Sequence, residues 1–209
     1  DIMDYAPLRR GKDTVHEKWD LNTGILSGDA MLILAYQYFE NYEPVVFHKL
    51  AKLFSKTALE VCDGQQLDVD FETRSDVTIE EYINMIRLKT SVLVAAALKM
   101  GALVSNTSET NANLIYEFGL NLGLAFQLQD DYLDAFGNPE TFGKQVGGDI
   151  MENKKTFLYL KSLEVANEQD RSKLQFYYNQ KLADNSYKIT EVLRIFEQND
   201  IPILIKEQI

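Results

Sequence analysis

The stretch FQLQDDYLD sets Gln127, Asp130, Asp131 and Asp134 within two turns of a predicted helix, just before Gly137, Asn138 and Pro139, which stop it. At 3.6 residues per turn, Gln127, Asp130 or Asp131, and Asp134 share a face and present several oxygens to a single point. Acids at a helix C-terminus oppose the macrodipole by about 0.3–1 kcal/mol each when exposed, and like charges four apart repel, so a compensating cation is expected. Hard oxygen donors suit Mg²⁺, which takes one or two carboxylates, keeps several waters and shares its other positions with phosphate oxygens. A second cluster stands at the N-terminus, where Asp1 and Asp4 are spaced i,i+3 and Pro7 follows. Each cluster is trailed by cations: Arg9, Arg10 and Lys12 after the first, Lys144, Lys154 and Lys155 after the second. Arginine grips phosphate bidentately and lysine as a point charge, so carboxylate, metal, diphosphate and cation would alternate. A lone DxxD is more often a solvated helix end; the recurrence of acids, proline stop and cations favours the metal.

Helices must position these groups. The chain carries only 4 Pro and 11 Gly in 209 residues, and no regular spacing of β-branched residues suggests a sheet. Ser27-Gly28-Asp29 reads as the start of a helix to about Phe39, and Pro44 as the first position of one to about Cys62. Thr78 to Glu81 resembles a capping box before a long helix to about Leu103. From Leu114 to Leu128 the pattern is apolar on nearly every face, which predicts a buried central helix. Gly119 and Gly123, four apart, let a neighbour approach it closely. Later helices are expected to about Val165, over Arg171 to Leu182, over Tyr187 to Gln198, and from Ile201. No linker or repeat divides the chain, so one all-α, multi-helix domain over residues 1–209 is expected.

Composition narrows the function. A net charge of -11 disfavours nucleic acid and anionic membranes. The longest apolar run, Val92 to Leu98, falls far short of the roughly 20 residues of a membrane span. With no signal pattern and a lone Cys62, read as a buried thiol, the expectation is a soluble protein of a reducing compartment, the cytoplasm. Both ends read as cut: Asp1 opens without Met or a cap, and the apolar-periodic segment from Ile201 runs to the last residue.

Together DIMDYAPLRRG, Lys89-Thr90, FQLQDDYLD and GKQVGGDIMENKK resemble the trans-prenyl diphosphate synthase family, in that family's order. The resemblance implies an isoprenoid synthase-type helical bundle around a deep central cavity, a homodimer, and Mg²⁺ as cofactor. Asp1 and Asp4 match the last two acids of the family's first DDxxD motif, whose leading acid would precede Asp1; the upstream helices that bind isopentenyl diphosphate are likewise expected before it. By the resemblance Asp1, Asp4, Asp130 and Asp134 are metal ligands, direct or through water, supported by Asp131 and Asp149. Arg9, Lys89, Lys154 and Lys144 match allylic diphosphate contacts, Arg10 an isopentenyl diphosphate contact, and Thr90 and Gln127 oxygen dipoles beside the reacting carbon. The implied reaction condenses isopentenyl diphosphate with an allylic prenyl diphosphate through ionisation, carbocation attack and proton loss, giving a short- to medium-chain product such as farnesyl or geranylgeranyl diphosphate. A terpene cyclase of the same fold, which usually replaces the second DDxxD, and a non-catalytic subunit of a heteromeric synthase, whose motifs are usually degraded, are alternatives that the intact DDYLD and its companions disfavour. His16 reads as structural near Trp19, and His48 as a polar-face residue. Asp63, Asp68, Asp70 and Glu72 read equally as a solvated face or as a cavity lining like the family's EGQ-type segment.

Overall fold

In this computed structural model residues 2–3, 6–138, 146–179 and 185–209 are described. Contacts gather the chain into two compact units, Asp1–Lys52 and Leu53–Ile209. In the first, β1 (Leu8–Arg9) pairs antiparallel with β2 (Lys12–Asp13) across a turn at Arg10 and Gly11, both at positive φ (53 and 75°), the backbone of a two-residue hairpin. α1 (Val15–Lys18) and α2 (Leu21–Gln37) follow. α2 begins well before the Ser27 signal, because the Asp20 carboxylate caps it, accepting from the Thr23 amide at 2.8 Å and the Thr23 hydroxyl at 3.0 Å. After a 3₁₀ turn at Tyr38–Asn41, α3 (Pro44–Thr73) starts at its proline and continues 11 residues past Cys62, the expected end. Cys62 is exposed on α3, which corrects the reading of a buried thiol.

The second unit holds a hydrophobic core. α4 (Ile79–Ile86) opens with the anticipated capping box: the Glu81 amide donates to the Thr78 hydroxyl, and the Thr78 amide to the Glu81 carboxylate. Tyr82, Met85 and Ile86, at i, i+3 and i+4, form its buried stripe. The predicted continuous helix to Leu103 is interrupted by a π-helical turn at Arg87–Ser91 before α5 (Val92–Val104). α6 (Glu109–Phe136), capped by Ser108, carries the acidic motif in its last two turns, and Gly137 ends it. α7 (Gly148–Met151), α8 (Phe157–Val165), α9 (Glu168–Tyr178), α10 (Ser186–Gln198) and α11 (Ile201–Lys206) complete it. Leu128, Phe157, Leu158, Leu174, Val192, Ile195 and Ile201 are central members of the core.

Two glycines on α6 set how near it comes to its neighbours. A β-carbon at Gly119 would stand 2.5 Å from Ala95 Cα of α5, and one at Gly123 2.5 Å from Ser91 Cα of the π turn. A β-carbon at Gly64 of α3 would likewise stand 2.3 Å from the backbone nitrogen of Lys89. The expectation that α6 is buried all round is corrected: Leu114, Phe118, Leu122 and Phe126 form an exposed stripe at i,i+4 spacing. The glycine face takes up the contact with α5 and the π turn, leaving that stripe with solvent. Among the described residues no helix is long and apolar enough to cross a membrane.

Candidate active site

The C-terminal half of α3, α4 with its π turn, the end of α6, and α7 with the turn after it surround one pocket of about 340 Å³. Four predicted carboxylates line it: Asp130, Asp131, Asp134 and Asp149. Lys89, Gln127 and Lys154 line it too, and the Thr90 hydroxyl donates to Gln127 Oε1 at 3.1 Å. Asp1, Asp4 and Lys144 lie outside the described residues. Arg9 and Arg10 belong to the first unit, on the β1–β2 hairpin, and both are exposed.

Each element delivers its groups for a local reason. The π turn holds one residue more than an α-turn, and it stands where Gly64 lets α3 touch the Lys89 backbone. Lys89 Nζ there reaches Asp68 Oδ2 of α3 at 2.5 Å. The acidic run on α3 thus divides, Asp68 and Glu72 lining the pocket while Asp63 and Asp70 are exposed. Gly147, at φ 83°, turns the chain so that its amide donates to the Asp134 carbonyl and the Asp149 amide to Asp134 Oδ2 at 3.1 Å. Lys154 Nζ lies 3.6 Å from Asp149 and 3.1 Å from Glu152, and Lys155 Nζ donates to the Glu72 carbonyl.

The acids do not converge as the helical spacing suggested. Among the described residues no group of three or more acidic, histidine or cysteine side chains is gathered closely enough to hold a metal ion by itself. The reason is that α6 turns Asp131 into the protein, where it accepts from the Tyr82 hydroxyl and, at 3.2 Å, from Gln127 Nε2. Asp131 and Asp134 are buried, 3% and 9% exposed. Burial, then the charge of Asp149, pushes Asp131 up to about 8 against the hydrogen bonds from Tyr82 and Gln127. The same two causes bring Asp134 to about 6, and burial raises Asp149 against the pull of Lys154. Burial lowers Lys154, but Asp149 and Glu152 outweigh it and hold the ammonium above its ordinary range.

Four carboxylates around one pocket, three of them with raised values, suit a divalent cation in charge and donor type. Their spread suits Mg²⁺ in particular, which needs only one or two carboxylates beside waters and phosphate oxygens. Lys89, Lys154 and Lys155 offer ammonium groups to an anion, and Phe71, Met85 and Ile86 supply apolar wall. Sequence reasoning missed Tyr82 and the pairing role of Asp68. A tyrosine inside the buried stripe of α4 was the available signal, since a buried phenol seeks a partner.

Comparison with known proteins gives a consistent picture. The family described as Polyprenyl synthetase matches residues 1–196. A geranylfarnesyl diphosphate synthase of Natronomonas pharaonis is 43% identical over 162 residues, 77% of this chain and 48% of the relative. A short chain isoprenyl diphosphate synthase of Methanothermobacter thermautotrophicus is 38% identical over 199 residues, 95% of this chain and 60% of the relative. A crystal structure of a geranylgeranyl pyrophosphate synthase superposes with a TM-score of 0.95 at 57% identity, covering 100% of this chain and 64% of that one. The geranylgeranyl pyrophosphate synthetase of Pyrococcus horikoshii gives 0.91 at 33% identity, over 100% and 63%. The chain thus spans about half to three fifths of the length of these curated relatives. With an all-α fold, a matching profile over residues 1–196 and relatives of this kind, the chain belongs to the polyprenyl synthetase family.

Proposed function

We propose that the protein is a prenyltransferase that condenses isopentenyl diphosphate with an allylic prenyl diphosphate to give a product of short to medium length, farnesyl to geranylgeranyl. The observation that carries this reading is the pocket, whose lining brings the carboxylates of α6 and α7 together with lysines and apolar side chains. Asp130, Asp134 and Asp149 would hold Mg²⁺ with the diphosphate, Asp131 supporting them, and Asp1 and Asp4 would serve as further metal ligands. Bound there, the ion would neutralise charge gathering on the departing diphosphate.

Lys89 and Lys154 then hold the allylic diphosphate, with Lys144 and Arg9, while Arg10 holds isopentenyl diphosphate. For Lys89 this means exchanging Asp68 for phosphate oxygen. The allylic C–O bond breaks with its electron pair on the diphosphate. Gln127 Oε1 and the Thr90 oxygen, 3.1 Å apart, turn the negative ends of their dipoles toward the resulting cation. The apolar wall keeps water from quenching it. The isopentenyl double bond attacks the cation, the new carbon–carbon bond forms, and the proton lost passes to the released diphosphate. We further propose that residues 1–209 serve one catalytic domain in a cytoplasmic homodimer; the lone cysteine and the family resemblance support that assignment.

Mass analysis tests this directly. The full-length protein, incubated with Mg²⁺, isopentenyl diphosphate and an allylic diphosphate, should yield an allylic diphosphate lengthened by isoprene units. A cyclised hydrocarbon, or no elongation of any allylic primer, overturns the reading.

A further inference from the structure

We propose that Tyr82 is a positioning residue: acting through Asp131, it fixes the Gln127 side-chain amide with its oxygen toward Thr90 and the reacting centre. The proposal rests on the condensation reading for its chemistry but on geometry for its content. Three hydrogen bonds run in series. The Tyr82 hydroxyl donates to Asp131 Oδ2, Gln127 Nε2 donates to Asp131 Oδ1 at 3.2 Å, and the Thr90 hydroxyl donates to Gln127 Oε1 at 3.1 Å.

The series settles an orientation that an amide alone leaves open. Reversing the Gln127 amide would set its oxygen against a carboxylate oxygen and its NH₂ against the Thr90 hydroxyl. Asp131 can impose this only if its own plane is held. Each carboxylate oxygen has a different donor, on different elements, so rotation of the carboxylate breaks a bond in a site where Tyr82 and Asp131 are 2% and 3% exposed. Tyr82 can hold that plane because the capping box at Thr78–Glu81 starts α4 immediately before it, and Met85 and Ile86 bury the same face. Asp131 is thereby an orienting group turned into the protein, and the amide oxygen of Gln127 keeps a lone pair for the pocket.

Tyr82→Phe keeps the ring and removes the link. In the full-length protein it should lower kcat for condensation about ten-fold, the scale on which lost orientation acts, and leave both diphosphate KM values within about two-fold. Stabilisation by Mg²⁺ with inorganic diphosphate should remain at the wild-type level. On a Gln127→Leu background, Tyr82→Phe should add no further loss, since both changes remove the same function. Wild-type kcat in Tyr82→Phe, a full additional loss on Gln127→Leu, or loss of the Mg²⁺–diphosphate stabilisation overturns the proposal. If Tyr82→Phe fails to fold, Asp131→Asn, which gives one donor an amide in place of an acceptor, must show the same fall in kcat at unchanged KM. Should the wild-type enzyme not condense these substrates, the condensation reading fails, and nitrogen-15 spectra of the Gln127 amide still decide the geometry. Amide proton shifts that move toward those of a free glutamine side chain in Tyr82→Phe, with faster exchange with solvent, support it, and identical spectra overturn it.

Discussion

Two of the places where the second unit buries charge handle it in opposite ways. Around the end of α6, Asp131, Asp134 and Asp149 crowd a pocket, and each is pushed toward its neutral form first by burial and then by a neighbouring acid, Asp149 for the first two and Glu152 for Asp149. On α10, Lys188 is fully buried; its Nζ donates to Asn153 Oδ1 at 2.5 Å and Met151 O at 3.4 Å, and lies 5.4 Å from the centre of the Tyr178 ring. Burial brings this ammonium down to about 8. The lysine meets its needs inside the fold, where carbonyl oxygens and a ring face take the place of a carboxylate. The acids are met only in part, by Tyr82, Gln127, the Asp149 amide and Lys154, and they line a pocket. Crowded acids whose ionisation stays hindered beside a pocket point to function; a lone charge sealed among neutral acceptors points to structure.

The hardest blow to the pocket side of this contrast is Asp130→Ala. Condensation by the full-length enzyme should fall by on the order of a hundred-fold or more, past the range typical of outer-shell partners, as read from kcat/KM at saturating Mg²⁺. The contrast is sharpened next by titrating stability. Asp131 and Asp134 have folded values raised above 3.8, to about 8 and about 6, so their contribution is full below pH 4 and is lost as pH rises through those values. Lys188 has its folded value lowered from 10.5 to about 8, so the unfolded chain binds more protons between them and stability rises with pH across that window. Thermal midpoints should therefore decline from pH 4 to 8, a decline that Mg²⁺ with diphosphate flattens. The rise above pH 8 should disappear in Lys188→Met and be indifferent to Mg²⁺. Each limb is worth a few kcal/mol.

A smaller effect separates the sites mechanically. Gly123→Ala places a β-carbon 2.5 Å from Ser91 Cα and must displace α6, which carries the acids and not Lys188. A loss of about 1–3 kcal/mol is expected from the urea midpoint, with the Lys188 limb of the pH profile retained. Cys62→Ser, on the exposed face of α3, lies in neither site and should change stability by less than about 0.5 kcal/mol in the same assay.

What the sequence made legible was local. The capping box at Thr78, the proline start of α3, the glycine face of α6 and the gathering of Asp130, Asp131, Asp134 and Asp149 with Lys89 and Lys154 depend on neighbours a few residues apart or on a motif with fixed spacing. The partners that give those residues their roles are distant. Tyr82 lies 49 residues from Asp131, Asp68 lies 21 from Lys89, and Thr90 lies 37 from Gln127. Nothing in periodicity encodes such pairs, nor the extra residue of the π turn, which stands where α3, at Gly64, and α6, at Gly123, both approach that backbone closely. Apolar content likewise overstated the burial of α6, because its pattern does not reveal which face finds a neighbour.

The ion pair between Lys89 and Asp68 bears on how fast a ligand arrives as well as how tightly it stays. Among the described residues Asp68, Glu72 and Glu152 stand with the four aspartates around a pocket that three lysines line, so an unaccompanied diphosphate would meet a field of its own sign. Ionic screening then speeds the approach of the bare anion where it would slow that of an oppositely charged one. An anion that binds Lys89 would also have to open its 2.5 Å contact with Asp68.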